Sequence, residues 1–139
     1  MYVLDTNVVS ELRKVRKRRA DPGVARWSEA TPSAEMFVSA ITIHELELGV
    51  LLRERSDPDQ GAVLRQWLDN SVAMAFDQRV LPVAEDVARR AAALHVPDPA
   101  SYRDALIGGS ALAHGMTVVT RNVTDFEGLG GLEVLNPWQ

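Results

Sequence analysis

Short apolar runs alternate along the chain with longer stretches whose apolar residues recur at helical spacing. The runs Tyr2 to Leu4, Met36 to Ser39, Arg79 to Val83, Met116 to Thr120 and Leu132 to Leu135 read as strands. The stretches between them read as helices: near Val8 to Arg13, from Asp21-Pro22 through Val24, Trp27 and Ala30, Ala40 to Glu54, Ala62 to Met74, Ala84 to His95, and Tyr102 to His114. Gly115 is a natural C-cap for the last of these, and the segments SDPDQG and PDPAS read as loops. Short strands in regular alternation with helices predict a parallel sheet covered on both faces, with Tyr2 to Leu4 at its centre. Ligands of such sheets sit beyond the carboxyl ends of the strands. Asp5 follows one strand directly, and Thr120, Arg121, Asn122 and Asp125 follow another.

Length and composition narrow the picture without changing it. The 139 residues suit one domain, no apolar stretch approaches a membrane span, and no signal-like segment opens the chain. The absence of cysteine rules out disulfides and thiolate metal sites and fits a cytoplasmic location. The net charge of −4 is uneven: Arg13, Lys14, Arg16, Lys17, Arg18 and Arg19 place six cations in seven residues, leaving −10 for the rest. A basic arm on an acidic body is suited to holding a phosphate backbone beside a site that needs its own carboxylates, although a solvated helix end or a contact for an acidic partner accounts for it too.

Four acids stand out from the nineteen. Asp5, directly after a buried strand, must cap a helix or bind something. Glu45 falls among Ile41, Leu48 and Leu52, in what reads as the core-facing stripe of its helix, where an unpaired charge would cost several kcal/mol. Glu47, about 200° around the same helix, reads as solvated. Asp104 opens the apolar run DALIGGSALAHG, where a carboxylate also favours the helix macrodipole. Asp125 lies in a Thr-Asp pair, a pattern that in loops often just makes a turn. If all four meet, each close pair repels by about 4 kcal/mol at 4 Å with an effective dielectric near 20. A hard divalent cation, Mg²⁺ or Mn²⁺, would relieve that repulsion and suit phosphodiester hydrolysis.

The stretches LDTNVVSEL (Leu4 to Leu12), SAITIHELELG (Ser39 to Gly49), DALIGGSALAHGMTVVTRNVTDF (Asp104 to Phe126) and the terminal NPW (Asn136 to Trp138) together resemble PIN-domain proteins. More narrowly, the chain resembles VapC/FitB-type toxins of bacterial toxin–antitoxin pairs, over essentially its whole length. The resemblance implies a single three-layer α/β/α PIN domain, residues 1–139, with a short parallel sheet, and a metal-dependent ribonuclease. It maps the metal ligands onto Asp5, Glu45 and Asp104. The fourth acidic position falls to Asp125, with Asn122 helping, since some relatives carry aspartate where this chain has Asn122. Thr6, Asn7 and Thr120 would orient the carboxylates, and Arg121 would contact phosphate or form a surface ion pair. A small VapB-type antitoxin whose C-terminal segment lies over the site, an antitoxin arginine among the carboxylates, and a homodimer are further implications.

The histidines do not assemble a site by spacing, and Gly108-Gly109-Ser110 lacks the pattern of a phosphate loop. Trp27, Trp67 and Trp138 read as core or interface anchors. Two rival functions follow from the same residues: a small-molecule phosphohydrolase with Asp5 as nucleophile, and a non-catalytic nucleic-acid-binding module in which the acids only cap helices. The RNA target and the number of metal ions are not encoded in any motif.

Overall fold

A computed structural model describes all 139 residues. Strands β1 (Tyr2–Leu4), β2 (Met36–Ser39), β3 (Val80–Leu81), β4 (Thr117–Val119) and β5 (Val134–Leu135) form a wholly parallel sheet in the order β3-β2-β1-β4-β5. The central position of β1 and the α/β class match the sequence reading. Alternation along each strand builds two cores. Leu4, Val38 and Val119 face one, with Val8, Leu46, Val50 and Phe76; Val3 and Val118 face the other, with Ile107, Ala111 and Phe126.

The first core is covered by α1 (Thr6–Leu12), α2 (Pro22–Ala30), α3 (Ala40–Ser56) and α4 (Pro58–Gln66), the last continuing through a π-helical turn, Trp67–Val72, into α5 (Ala73–Ala75). The second is covered by α6 (Glu85–Ala93), α7 (Tyr102–His114) and α8 (Val123–Glu127). Helix α7 has the predicted bounds and ends at Gly115 with φ +64°, the left-handed conformation that glycine adopts without penalty. A Cβ on Gly109 would stand 2.9 Å from the Ala91 backbone nitrogen and the Val87 oxygen, so the Gly-Gly pair serves close packing of α7 on α6.

Two expectations fail. The supposed loop SDPDQG is largely the first turn of α4: Asp57 accepts from the Gln60 amide at 3.3 Å and Pro58 takes the first helical position, where its missing N–H is harmless. On α3 the buried stripe is Thr42, Leu46 and Val50, whereas Leu48, Leu51 and Leu52 are about half exposed. Glu45 therefore does not interrupt the core face; it lies on the flank of α3.

Candidate active site

Register determines what stands at the sheet's carboxyl end. Leu4 pairs with Val119, so the next residues, Asp5 and Thr120, emerge side by side from β1 and β4, where the strand order reverses. The Asp5 amide donates to the Val119 carbonyl at 2.9 Å, continuing the ladder one residue further. Asp5 is fully buried. Its Oδ1 caps α1 by accepting from the Thr6 amide at 2.7 Å and also accepts from Arg103. Its Oδ2 accepts from the Thr120 hydroxyl at 2.7 Å and the Asn7 amide at 3.4 Å. Asp5 thus caps a helix and serves the site at once. Its four donors fill the roughly four lone-pair positions of a carboxylate.

Glu45 and Asp104 arrive from α3 and α7. The Thr6 hydroxyl donates to Glu45 Oε1 at 2.6 Å, tying α3 to α1. Asp104 sits in the first turn of α7, where its own amide donates to the hydroxyl of the capping Ser101 at 3.0 Å. The Arg103 guanidinium binds all three acids: Nη2 donates to Asp5, Nε to Glu45 and Nη1 to Asp104. Arg103 is the residue that sequence reasoning missed. A cation directly before the site aspartate, at the start of a buried helix, was the available signal.

Burial raises the Asp104 carboxyl above its ordinary value; Ser101 and Arg103 oppose this, while Asp5 and Asp125 add to it. For Arg103, burial works against the charge, but attraction to Asp5, the bond to Glu45 and attraction to Asp104 hold it above the usual arginine value. Asp125 is exposed in α8 and lines, with Asp104, a cleft of about 670 Å³ bordered by Leu94, Pro97 and Leu129. It lies outside the guanidinium's grasp. The Asn122 amide donates to the Thr120 hydroxyl at 3.0 Å, while its side chain makes no capping bond. The Arg121 amide donates to Asn7 Oδ1 at 3.4 Å, and its guanidinium lies 5.5 Å from the centre of the Trp138 ring and forms no ion pair. Glu47 pairs with Arg65 of α4 at 2.8 Å and is not merely solvated.

The basic arm is not part of this cluster. Helix α1 runs back from Asp5 along the sheet for about 10 Å, the length of the strand beside it. Arg13 and Arg16 consequently line a cavity of about 280 Å³ with Ser33, Met36 and Arg79, at the amino ends of β2 and β3. Arg13 lies over Trp67 and Lys14 pairs with Glu11 at 3.1 Å. The acids and the arm thus occupy opposite ends of the sheet.

Three carboxylates supply only hard oxygen donors, the chemistry that Mg²⁺ and Mn²⁺ prefer. Asp5, Glu45 and Asp104 fit such an ion by donor type and by shared occupancy of one cationic group. They do not stand as a ready cage, and the Arg103 guanidinium lies among them.

Residues 2–131 match the PIN domain family. The chain is 35% identical to VapC ribonuclease Y4jK of Sinorhizobium fredii over 144 residues, covering all of this chain and 99% of that one. It is also 35% identical to toxin FitB of Neisseria gonorrhoeae, covering 99% of each. The solved structure of FitAcB from Neisseria gonorrhoeae superposes with a TM-score of 0.88 at 31% identity, over all of this chain and 99% of that one.

Proposed function

The chain belongs to the PIN domain family, and on that footing we propose that it is the ribonuclease toxin of a toxin–antitoxin pair, hydrolysing RNA phosphodiester bonds with the help of Mg²⁺ or Mn²⁺. The observation that carries this reading is the meeting of Asp5, Glu45 and Asp104, from three separate stretches, on one guanidinium at the carboxyl end of the sheet. These three would hold the cation, which when bound supplies Lewis acidity and positive charge for the phosphate oxygens.

The chain's own side chains prepare that site. Thr120 and Asn7 fix the orientation of Asp5, and Thr6 fixes Glu45. Asp125, which lines the same cleft as Asp104, would accept a proton from water approaching the phosphate. The saturated, solvent-sealed oxygens of Asp5 disfavour its use as a nucleophile. Convergence of the acids on one guanidinium disfavours a module in which they only cap helices.

A partner follows from the same reading. The likeness to toxin FitB and to the solved FitAcB structure supports a small antitoxin partner, whose segment would cover the acidic cluster. The half-exposed Leu48, Leu51, Leu52 and Val63 on α3 and α4 form an apolar surface suited to a second copy of the chain. No helix is long and apolar enough to cross a membrane.

Incubation of the purified chain with a pool of cellular RNAs tests the activity. Cleavage is expected with Mg²⁺ or Mn²⁺, to vanish in EDTA, and to fall at least about a hundredfold in Asp104→Asn. That bound follows because merely losing a group that orients a ligand costs 10- to 100-fold. Undiminished cleavage in EDTA or in Asp104→Asn would remove the metal mechanism.

A further inference from the structure

Two arginines in the molecule each bind three carboxylates, Arg65 on the outer face of α3 and α4 and Arg103 in the acidic cluster at the end of the sheet. Each of Arg103's three nitrogen positions donates to a different carboxylate, and those carboxylates come from the residue after β1, from α3 and from α7. The occupancy is nevertheless electrically incomplete, since three carboxylates and one guanidinium leave two negative charges uncompensated. Asp125 adds a further repulsion at Asp104.

Four donors saturate Asp5, and three of them are fixed by the fold. The Thr6 amide belongs to the first turn of α1, Thr120 is buried at the end of β4, and Asn7 is held on α1. Arg103 alone can leave without unmaking an element. It sits in the first turn of α7, its side chain is 31% exposed, and the loop before it borders the open cleft. A divalent cation needs the carboxylate oxygens that Arg103 holds. Two cations among the same three carboxylates would repel one another strongly.

We propose that Arg103 is a tethered competitor of the divalent cation: guanidinium and metal ion exchange at Asp5, Glu45 and Asp104, and the ion binds only as Arg103 swings out toward the cleft. The inference rests on the cation reading of the site given above. It makes the chain carry its own plug for the acidic pocket, in addition to any supplied by a partner. Apparent affinity for the ion is then reduced by the fraction of molecules in which the guanidinium has withdrawn.

Calorimetric titration of the full chain with Mn²⁺, together with melting curves in EDTA and in saturating Mn²⁺, tests this without relying on activity. If Arg103 occupies the pocket nine-tenths of the time or more, Arg103→Gln binds Mn²⁺ at least about tenfold more tightly than the unsubstituted chain. Arg103→Lys, which keeps the charge but not the three-way fork, falls between them. In EDTA Arg103→Gln melts below the unsubstituted chain, and Mn²⁺ raises its melting temperature by the larger increment. If Arg103→Gln does not fold in EDTA, Arg103→Lys carries the comparison. Equal or weaker Mn²⁺ binding in the substituted chains overturns the competition while leaving the cation site standing. Absence of Mn²⁺ binding in all three chains removes the cation site, and the competition with it.

Discussion

At the carboxyl end of the sheet, Asp5 is sealed from solvent and accepts bonds from Thr6, Asn7, Arg103 and Thr120. At the amino end, Arg16, Lys17, Arg18 and Arg19 stand exposed, and none of them enters an ion pair. Both ends concentrate one sign of charge, but only one of them orders it. Buried charges are tolerable only where partners hold every lone pair, so the acidic end is built to fixed geometry. Exposed cations remain hydrated and mobile, which suits attraction over a distance and not the positioning of reacting atoms. Substitutions at the acidic end should therefore disturb chemistry and stability together. Those at the basic end should alter affinity alone.

The largest of these effects is expected at Thr120. Its hydroxyl donates to Asp5 Oδ2 and accepts from the Asn122 amide, so Thr120→Val strips one bond from a buried carboxylate and strands an N–H. Stability should fall by about 1–3 kcal/mol in chemical denaturation. RNA cleavage should fall about 10- to 100-fold, as for other groups that orient a metal ligand. Thr120→Ser keeps the hydroxyl and should restore most of both. If Thr120→Val cleaves RNA at the unsubstituted rate, the order at the acidic end is not what supports the chemistry.

A smaller effect, opposite in sign, concerns Asp104. Burial first, then repulsion from Asp5 and Asp125, raises its carboxyl above the ordinary aspartate value, so the folded state holds that proton more tightly than the unfolded chain does. The carboxylate's contribution is thus most favourable below the unfolded value, near 3.9, and is lost as pH rises through the raised folded value. Asp104→Asn carries no such loss. It should melt above the unsubstituted chain at neutral pH in EDTA, and the gap should close as pH falls through the raised titration. A gap that widens on acidification would mean that the Arg103 pair outweighs burial at Asp104.

The contrast between the two ends was only half legible in the sequence. Apolar runs such as YVL and TVV marked buried parallel strands, and the places of Asp5 at a strand end and Asp104 at a helix start could be read off directly. That Glu45 and Asp104 meet Asp5 depends on how α3 and α7 cross the rim, which no local pattern encodes. The stripe Ile41, Leu48 and Leu52 misled because α3 carries apolar residues on an exposed face as well as on the buried one. SDPDQG misled because Asp and Pro start helices as readily as they make turns. Arg103 escaped notice because an arginine beside an aspartate ordinarily reads as a surface pair. The basic arm was expected beside the acids and stands at the other end of the sheet, because α1 runs back antiparallel to β1.

That position bears on the smallest expected effect. If RNA reaches from the acidic pocket to the arm, replacing Arg16, Lys17, Arg18 and Arg19 with glutamine should raise KM and leave kcat unchanged, because no cation of the arm enters the cluster around Asp5. Each lost phosphate contact on single-stranded RNA should reduce the slope of log affinity against log salt by about 0.7. Stability should change by no more than about 0.5 kcal/mol per site, as for exposed side chains with no ion-pair partner. A fall in kcat would mean that the two ends are coupled through the sheet, contrary to the separation seen here. Unchanged KM and salt slope would reassign the arm to a contact other than RNA, leaving the acidic end to act on its substrate alone.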